Sequence, residues 1–302
     1  MLHIWGHGSL HDDYMGGLVR AWEAGFRKQN PAVHFENKLR GNNTALGGLY
    51  TDVAEIAFMD RQPLDMEIEG YRPVMGHDPL EIMVASGSVA LPHQAAAPVV
   101  YVHRSNPLQR LTLAQLDAVL SADHRRSAAS VLTWGGLGLT GSWSDAPITV
   151  YAPAIVSDVS QFVEHAVMQG SQKWLARLHE FSDAPSRPAG LQALAALARD
   201  PHGLAISNQA FHDPQVKAVA LAANEAGPYL NATSQTVTQR RYPLTRTLVV
   251  YLNRAPGQVL PPAVQAFMRY LLGREGQAVL ARKGGYLPLP PDVALRERSK
   301  LE

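Results

Sequence analysis

The sequence contains no cysteine among its 302 residues. This absence excludes disulfide bonds, metal sites built on thiolates and a cysteine nucleophile, and it leaves the redox compartment open. The chain also lacks an excess of charge, because 27 Lys and Arg residues face 26 Asp and Glu residues, for a formal net charge of +1. The overall charge therefore predicts neither a nucleic acid nor a membrane surface as a partner.

Long apolar runs and common catalytic motifs are missing as well. No stretch approaches the roughly 18 apolar residues of a membrane-spanning helix, and the N-terminus shows neither the basic nor the apolar region of a signal peptide. Neither Gly-x-Ser-x-Gly nor a Walker loop occurs. Gly136-Leu-Gly-Leu-Thr-Gly141 has the spacing of a dinucleotide fingerprint, but Ser142-Trp-Ser-Asp-Ala-Pro147 follows where a helix must begin, so we interpret it as a loop.

What is present is an alternation of helical and strand patterns. The length and the 46% hydrophobic fraction predict one large or two medium globular domains. Apolar residues at helical spacing, such as Leu18 and Trp22, predict a helix over Asp12–Gln29. His34–Leu39 and Ala54–Met59 read as strands. This order of elements predicts an α/β fold with mostly parallel sheets.

Two later runs are almost wholly apolar. Ala97–Val102 reads Ala-Pro-Val-Val-Tyr-Val, and Leu248–Leu252 reads Leu-Val-Val-Tyr-Leu. Strands of this kind are buried on both faces. We therefore predict that both are central strands.

Three predicted strands, Leu2–Trp5, His34–Leu39 and Ala54–Met59, end in loops suited to anion binding. These loops are His7-Gly8-Ser9, Gly41-Asn42-Asn43-Thr44 and Asp60-Arg61. In open α/β sheets ligands bind outside the carboxyl ends of the strands, where free N–H groups can receive an anion. The sequence therefore predicts a small-anion site at this edge.

Five ordered segments carry a resemblance to a known family. They are the first Gly-Ser loop with its helix, Ile56–Leu64, Tyr101–Leu108 with Leu111–Leu116, Trp134–Trp143, and a C-terminal third with Arg241–Asn253, Arg274-Glu-Gly-Gln-Ala and Gly285–Pro290. In this order they resemble the phosphate-binding receptors of phosphate ABC transporters. The resemblance covers nearly the whole chain.

The resemblance implies a fold and its division. The expected fold is the α/β, two-lobed type II periplasmic-binding-protein fold, in which each lobe is a mixed sheet flanked by helices and two crossing strands join the lobes. With crossings near His103 and Arg246, residues 1–103 and 246–302 form a discontinuous lobe I, and residues 104–245 form lobe II.

The resemblance also implies a function. We expect a periplasmic solute-binding protein that captures phosphate or a related small oxyanion between its lobes, by hinge closure, for an ABC permease. We expect a monomer without enzyme activity, cofactor, metal or nucleic-acid partner, whose signal peptide has been removed from this sequence. A cytoplasmic protein would show the same N-terminus. The alternatives are a diverged sensor or scaffold protein that no longer binds phosphate, and a phosphoester hydrolase using Asp60 and His7.

The family pattern assigns ligand contacts to lobe I. Its first loop supplies a hydroxyl and N–H donors, matched here by Ser9 and Leu10. The second loop supplies another hydroxyl, for which Thr44 or the amide of Asn43 is the candidate. An aspartate after the third strand accepts the proton of hydrogenphosphate, and Asp60 falls at that position. Such an acceptor disfavours fully ionised sulfate.

Lobe II departs from the family pattern. Aligned on Tyr151, the family's anion-binding arginine falls at Pro153, and its Ser-Gly-Thr becomes Ser157, Asp158 and Val159. We take Ser157 and Asp158 as the candidate contacts. The missing guanidinium removes the strongest expected phosphate contact. Two candidate carboxylates, one in each lobe, then have no matched cation.

Simpler interpretations remain open for the lobe I residues. Ser9 at a helix start is often only a cap. Asp60 beside Arg61 is equally compatible with a surface ion pair, and Asn42-Asn43 with a turn.

A metal site is a further interpretation of the N-terminal residues. His7, His11, Asp12 and Asp13 are imidazole and carboxylate groups at close spacing, which can bind zinc or nickel. An Asp pair in a first helical turn complements the helix dipole, however, and no His-Glu-x-x-His motif occurs.

Overall fold

The computed structural model describes residues 1–8, 14–89, 95–184 and 186–302. The chain divides into two compact units. Unit 1 contains Met1–Ser88, Ala95 and Arg246–Glu302, and unit 2 contains Ala96–Thr245.

The elements follow one another in three stretches of the chain. The first stretch contains β1 (Leu2–Gly6), α1 (Tyr14–Arg27), β2 (Phe35–Lys38), α2 (Ala45–Tyr50), β3 (Ile56–Met59), α3 (Asp65–Met75) and β4 (Leu80–Ser86). The second contains β5 (Val99–His103), β6 (Arg110–Thr112), α4 (Leu113–Leu120), β7 (Thr149–Pro153), α5 (Asp158–Ala166), β8 (Leu178–Phe181), α6 (Ala189–Leu197), β9 (Gly203–Ser207), β10 (Val216–Ala218), β11 (Ala220–Ala222) and α7 (Ser234–Thr238). The last contains β12 (Thr247–Leu252), α8 (Pro262–Leu271), α9 (Arg274–Lys283) and α10 (Pro291–Ser299).

Unit 1 is built on a five-stranded sheet in the order β2-β1-β3-β12-β4. Strand β1 runs parallel to β2 and β3, whereas β12 runs antiparallel to β3 and β4. Since β12 lies between two neighbours and is buried, the prediction that Leu248–Leu252 is a central strand is confirmed.

Helix α1 covers this sheet through its apolar face. Trp22 is fully buried, stacks on Phe58 with ring centroids 5.8 Å apart, and donates its indole N–H to the Gly276 carbonyl at 2.9 Å. Burial of one such side chain is worth about 1.5–3 kcal/mol. The helix ends at Arg27. Shortly after this end, the side-chain amide of Asn30 donates a hydrogen bond to the Phe26 carbonyl. The predicted helix is thus confirmed within the described residues.

Unit 2 contains a five-stranded sheet in the order β10-β5-β9-β7-β8 and a small β11-β6 pair. Strand β7 is parallel to β8 and β9, but β5 is antiparallel to β9 and β10. The prediction of mostly parallel sheets was therefore wrong, because β5 and β12 are antiparallel to every neighbour. Strands that enter a sheet without a βαβ crossover need not be parallel to it.

In the part of the chain that the structure describes, no helix is both long enough and apolar enough to cross a lipid bilayer.

Candidate functional site

Parallel pairing brings three loops to one edge of the unit 1 sheet. Because β1 is parallel to β2 and β3, their carboxyl ends meet there. The Gly41 amide donates to the Gly6 carbonyl at 2.9 Å, and the His7 amide donates to the Phe58 carbonyl at 2.7 Å. A Cβ at Gly6 would lie 2.1 Å from the Phe58 carbonyl oxygen, so the close approach of β1 and β3 requires glycine.

Asp60 lies at the centre of this edge. Its side chain is 2% exposed. Oδ1 accepts from the Asn42 amide at 2.8 Å, and Oδ2 accepts from the Ala95 backbone N–H at 3.0 Å. In return, the Asp60 backbone N–H donates to Asn42 Oδ1 at 3.1 Å. These bonds join the ends of β2 and β3 and fix the orientation of the carboxylate.

Arg246 supplies the positive charge for Asp60. Its guanidinium Nη2 lies 3.0 Å from Asp60 Oδ2, and its Nε donates to the Asp60 carbonyl at 3.3 Å. The Arg246 side chain is only 3% exposed. The expectation that this carboxylate has no matched cation was therefore wrong. From the sequence, Arg246 is predicted only as the place where the chain crosses between lobes.

The surroundings keep Asp60 ionised. Burial raises the pKa of this carboxyl, but the positive charges of Arg246 and His7, together with the hydrogen bonds from Asn42 and Ala95, outweigh burial. The pKa therefore lies below its ordinary value. An ionised carboxylate only accepts hydrogen bonds, which suits a ligand that carries a proton.

His7 connects Asp60 to the C-terminal part of unit 1. Its Nδ1 is 3.6 Å from Asp60 Oδ1, and its Nε2 is 2.9 Å from the Tyr286 hydroxyl. With a proton on Nδ1, the ring presents an N–H to the carboxylate. His11, Asp12 and Asp13, the other members of the metal hypothesis, lie outside the described residues.

Arg61 does not pair with Asp60. Its guanidinium binds both carboxylate oxygens of Glu67, at 2.7 and 2.9 Å, and donates to Asn43 Oδ1 at 2.7 Å. The interpretation of Asp60-Arg61 as a surface ion pair was wrong, since both side chains are buried. Arg61 instead holds the Asn43 side chain in place.

The remaining lobe I candidates are Thr44, Asn43, Ser9 and Leu10. Thr44 is half-buried and donates its hydroxyl to the Gly41 carbonyl at 2.9 Å, so its oxygen can still accept a bond. Asn43 is exposed. Ser9 and Leu10 lie outside the described residues.

Unit 2 carries the second group of candidates at the start of α5. Ser157 is the N-cap, and its hydroxyl oxygen accepts from the Ser160 backbone N–H at 3.2 Å. Asp158 is the first residue of the helix and is half-buried. Pro153 ends β7, and its carbonyl accepts from the Ser160 hydroxyl at 2.8 Å. Ser157 thus has a structural role that also accounts for its presence.

Sequence reasoning missed Arg246, Tyr286 and Glu67 as members of this network. Arg246 and Tyr286 lie inside the motifs Tyr-Pro-Leu-Thr-Arg and Gly-Tyr-Leu-Pro that carried the resemblance. The available signal was an arginine directly before β12, whose residues after Thr247 are all buried, because a charge at such a position is buried and needs a partner.

The chain has two α/β units, and each contains a five-stranded mixed sheet. Strands β5 and β12 each follow a boundary between the units. This arrangement defines the class of two-lobed, type II solute-binding proteins. A family model described as the PBP superfamily domain matches residues 14–275. The phosphate-binding protein PstS of Pseudomonas aeruginosa is 30% identical over 288 residues, which cover 95% of this chain and 84% of that protein.

Solved structures show the same fold. An ABC-type phosphate transport receptor from Vibrio cholerae has a TM-score of 0.62 at 15% identity, covering 96% of this chain and 100% of that one. PstS from Borrelia burgdorferi has a TM-score of 0.63 at 13% identity, covering 96% and 98%. The chain therefore belongs to the PBP superfamily and, within it, to the family of the phosphate-binding protein PstS.

Proposed function

We propose that this protein is a periplasmic receptor that binds phosphate, or a closely related protonated oxyanion, and delivers it to an ABC permease. The observation that carries this proposal is the buried, ionised carboxylate of Asp60, which lies at the carboxyl edge of the unit 1 sheet. Its relatives are named for phosphate binding and phosphate transport.

The proposed ligand contacts include residues of both units. In unit 1 they are Ser9, Leu10, Asn43, Thr44 and Asp60, and in unit 2 they are Ser157 and Asp158. Crossings that lead from one unit to the other allow a hinge, and we propose that the protein closes around its ligand. Neither a cofactor nor an enzymatic step is part of the proposal.

Asp60 supplies selectivity in this proposal. A carboxylate offers about four lone-pair positions. Hydrogen bonds from Asn42 and Ala95 take two of them, and the guanidinium of Arg246 lies 3.0 Å from Oδ2. The hydroxyl of a protonated oxyanion would donate to Oδ1, from which His7 Nδ1 lies 3.6 Å away. Because Arg246 offsets the charge of Asp60, an anion beside this carboxylate meets less repulsion than an unpaired Asp60 would cause.

One observation favours the alternative that the protein has lost phosphate binding. Pro153 stands where the resemblance placed the main guanidinium, and Asp158 adds a negative charge at the start of α5. Under this alternative, a sensor or scaffold protein would keep the fold and the Asp60 network without binding the ion.

Calorimetric titration with phosphate distinguishes the two. The parent should bind, and Asp60→Asn should bind at least about tenfold more weakly, since hydrogen bonds to charged groups are worth roughly 1.5–3 kcal/mol. Glu69→Gln is the matched control, because Glu69 is an exposed carboxylate on α3 of the same unit. A parent that does not bind phosphate would favour the scaffold alternative.

Closure has its own measurement. Small-angle scattering should show a smaller radius of gyration at saturating phosphate than without it. Proven binding with an unchanged radius would contradict hinge closure. Turnover of a generic phosphoester, measured in parallel, would instead favour the hydrolase alternative.

A further inference from the structure

Unit 2 contains a cavity that none of the residues discussed so far explains. Its volume is about 300 Å³, and it is lined by residues within 223–228 and 240–245. This volume lies at the lower end of the roughly 300–1,000 Å³ that small-molecule sites occupy. Pro228 and Pro243 provide rigid apolar walls. The space is thus suited to a compact ligand.

The polar lining of this cavity is cationic. Arg240 and Arg241 both line it, and none of the described residues that do so is acidic. Within the described ranges, neither guanidinium has a hydrogen-bond or ion-pair partner. Arg240 and Arg241 are adjacent, exposed cations that both line this cavity, so an anion bound there is attracted by both charges. We call this feature the two-arginine cavity.

The backbone at Arg240 is a second, independent observation. Its φ is +55°, in the left-handed region, directly after Gln239, the C-cap residue of α7. Glycine is the residue that this position favours, because an L side chain is strained there. Among the described residues, the Arg240 side chain makes no hydrogen bond or ion pair that would offset that strain. An arginine at position 240 does not stabilise the fold, so we attribute its presence to ligand binding.

The wall that carries Arg241 is fixed in place. The next residue, Tyr242, is 1% exposed and donates its hydroxyl to the Pro98 carbonyl at 2.9 Å. Thr245 donates its hydroxyl to the Tyr242 carbonyl at 2.8 Å. A site whose backbone is already ordered loses little conformational entropy when a ligand binds.

We propose that the two-arginine cavity is a second binding site, specific for a small molecule with two adjacent phosphoryl groups. Each guanidinium can hold one phosphoryl group through paired N–H donors. The cavity is larger than a single tetrahedral oxyanion requires, which favours the doubly charged ligand. This site lies wholly within unit 2 and does not depend on the phosphate function proposed above.

Inorganic diphosphate is the probe for this site. It would be titrated calorimetrically into the whole chain in the presence of saturating orthophosphate, so that any orthophosphate site is already filled. The parent should bind about one equivalent of diphosphate. Arg240→Gly and Arg241→Gln should each weaken that binding at least about tenfold, the loss expected for a charged contact. Arg199→Gln, which removes an exposed arginine outside the cavity, should bind like the parent.

Thermal unfolding separates a ligand role from a structural one. Arg240→Gly should unfold at the same temperature as the parent or higher, because glycine relieves the left-handed strain. If Arg240→Gly is less stable than the parent, the diphosphate affinity of Arg241→Gln alone tests the proposal. The proposal is overturned if the parent does not bind diphosphate, or if both cavity variants bind it as Arg199→Gln does. Asp60→Asn should retain diphosphate binding, so a failure of the phosphate proposal is recognised separately.

Discussion

The two units place negative charge in different environments. In unit 1 the Asp60 carboxylate is buried and lies 3.0 Å from the guanidinium of Arg246. In unit 2 Asp158 starts α5 in a half-buried position, and Pro153 stands where an arginine was expected. Unit 1 thus contains a charge-balanced acceptor, while unit 2 lacks the group expected to contribute most to affinity. We therefore expect that substitutions in unit 1 and in unit 2 alter selectivity and affinity separately.

Breaking the balance in unit 1 should have the largest effect. Arg246→Met leaves Asp60 buried without its main cation, and loss of one partner of a buried pair costs about 3–5 kcal/mol of stability. Denaturant unfolding measures this loss. Arg298→Met, at an exposed position on α10, is the matched control and should change stability little.

The double variant Asp60→Asn/Arg246→Met should be less destabilised than the sum of the two single variants, because it leaves no lone buried charge. Additive losses would mean that the two side chains do not act as a pair.

Acid should weaken the same pair. The pKa of Asp60 is lower in the folded protein than in the unfolded chain, where it is about 3.9. Its contribution to stability is therefore complete above pH 4 or so and is lost as the pH falls through the lowered folded pKa. Urea unfolding between about pH 6 and pH 2 should show a steeper loss for the parent than for Asp60→Asn.

Glu23 and Glu164 act in the opposite direction. Burial raises the pKa of both, so protonating them favours the folded state as the pH falls. Glu23 and Glu164 are both present in the Asp60→Asn variant. The difference in pH-dependent stability between the parent and this variant is therefore specific to Asp60. Parallel stability curves would contradict the ionised state of this residue.

Restoring the expected pattern in unit 2 should change affinity by an intermediate amount. The triple variant Pro153→Arg, Asp158→Gly, Val159→Thr adds a guanidinium and removes a carboxylate. Phosphate should then bind at least about tenfold more tightly, in line with roughly 1.5–3 kcal/mol for a charge-assisted contact. The control is Asp145→Gly, outside the α5 start. A parent that already binds tightly, and a triple variant that binds no better, would show that the alignment of this loop is mistaken.

The smallest effect concerns Ser157. Because Ser157 is the N-cap of α5, the substitution Ser157→Ala should cost about 1 kcal/mol of stability. If Ser157 also contacts the ligand, phosphate affinity should fall in addition, as measured by calorimetry. Thr233→Ala, which removes the cap of α7, is the matched control for a loss of stability alone. Unchanged affinity in Ser157→Ala would leave this residue with only its capping role.

The sequence allowed the fold to be predicted much further than the site. Apolar periodicity located α1, and the continuous apolar run Leu248–Leu252 located β12, because burial leaves a local pattern in the chain. The direction of β5 and β12 was not predictable in this way, since strand direction depends on the path between distant elements.

The partners of Asp60 were out of reach for a related reason. Asp60 was identified by its position after β3, but Arg246 lies 186 positions away in the sequence. No local spacing links residues so far apart. Only the sheet order, which places β12 beside β3, brings their side chains together.

Selectivity between phosphate and sulfate tests the central claim most directly. At neutral pH phosphate still carries a proton that it can donate to Asp60, whereas sulfate is fully ionised and meets the carboxylate as a second acceptor. The ratio of the two dissociation constants should strongly favour phosphate in the parent and fall at least about tenfold in Asp60→Asn, whose amide can donate to sulfate. A ratio that is the same in the parent, Asp60→Asn and the Glu69→Gln control would contradict the assignment of Asp60 as the residue that selects the ligand.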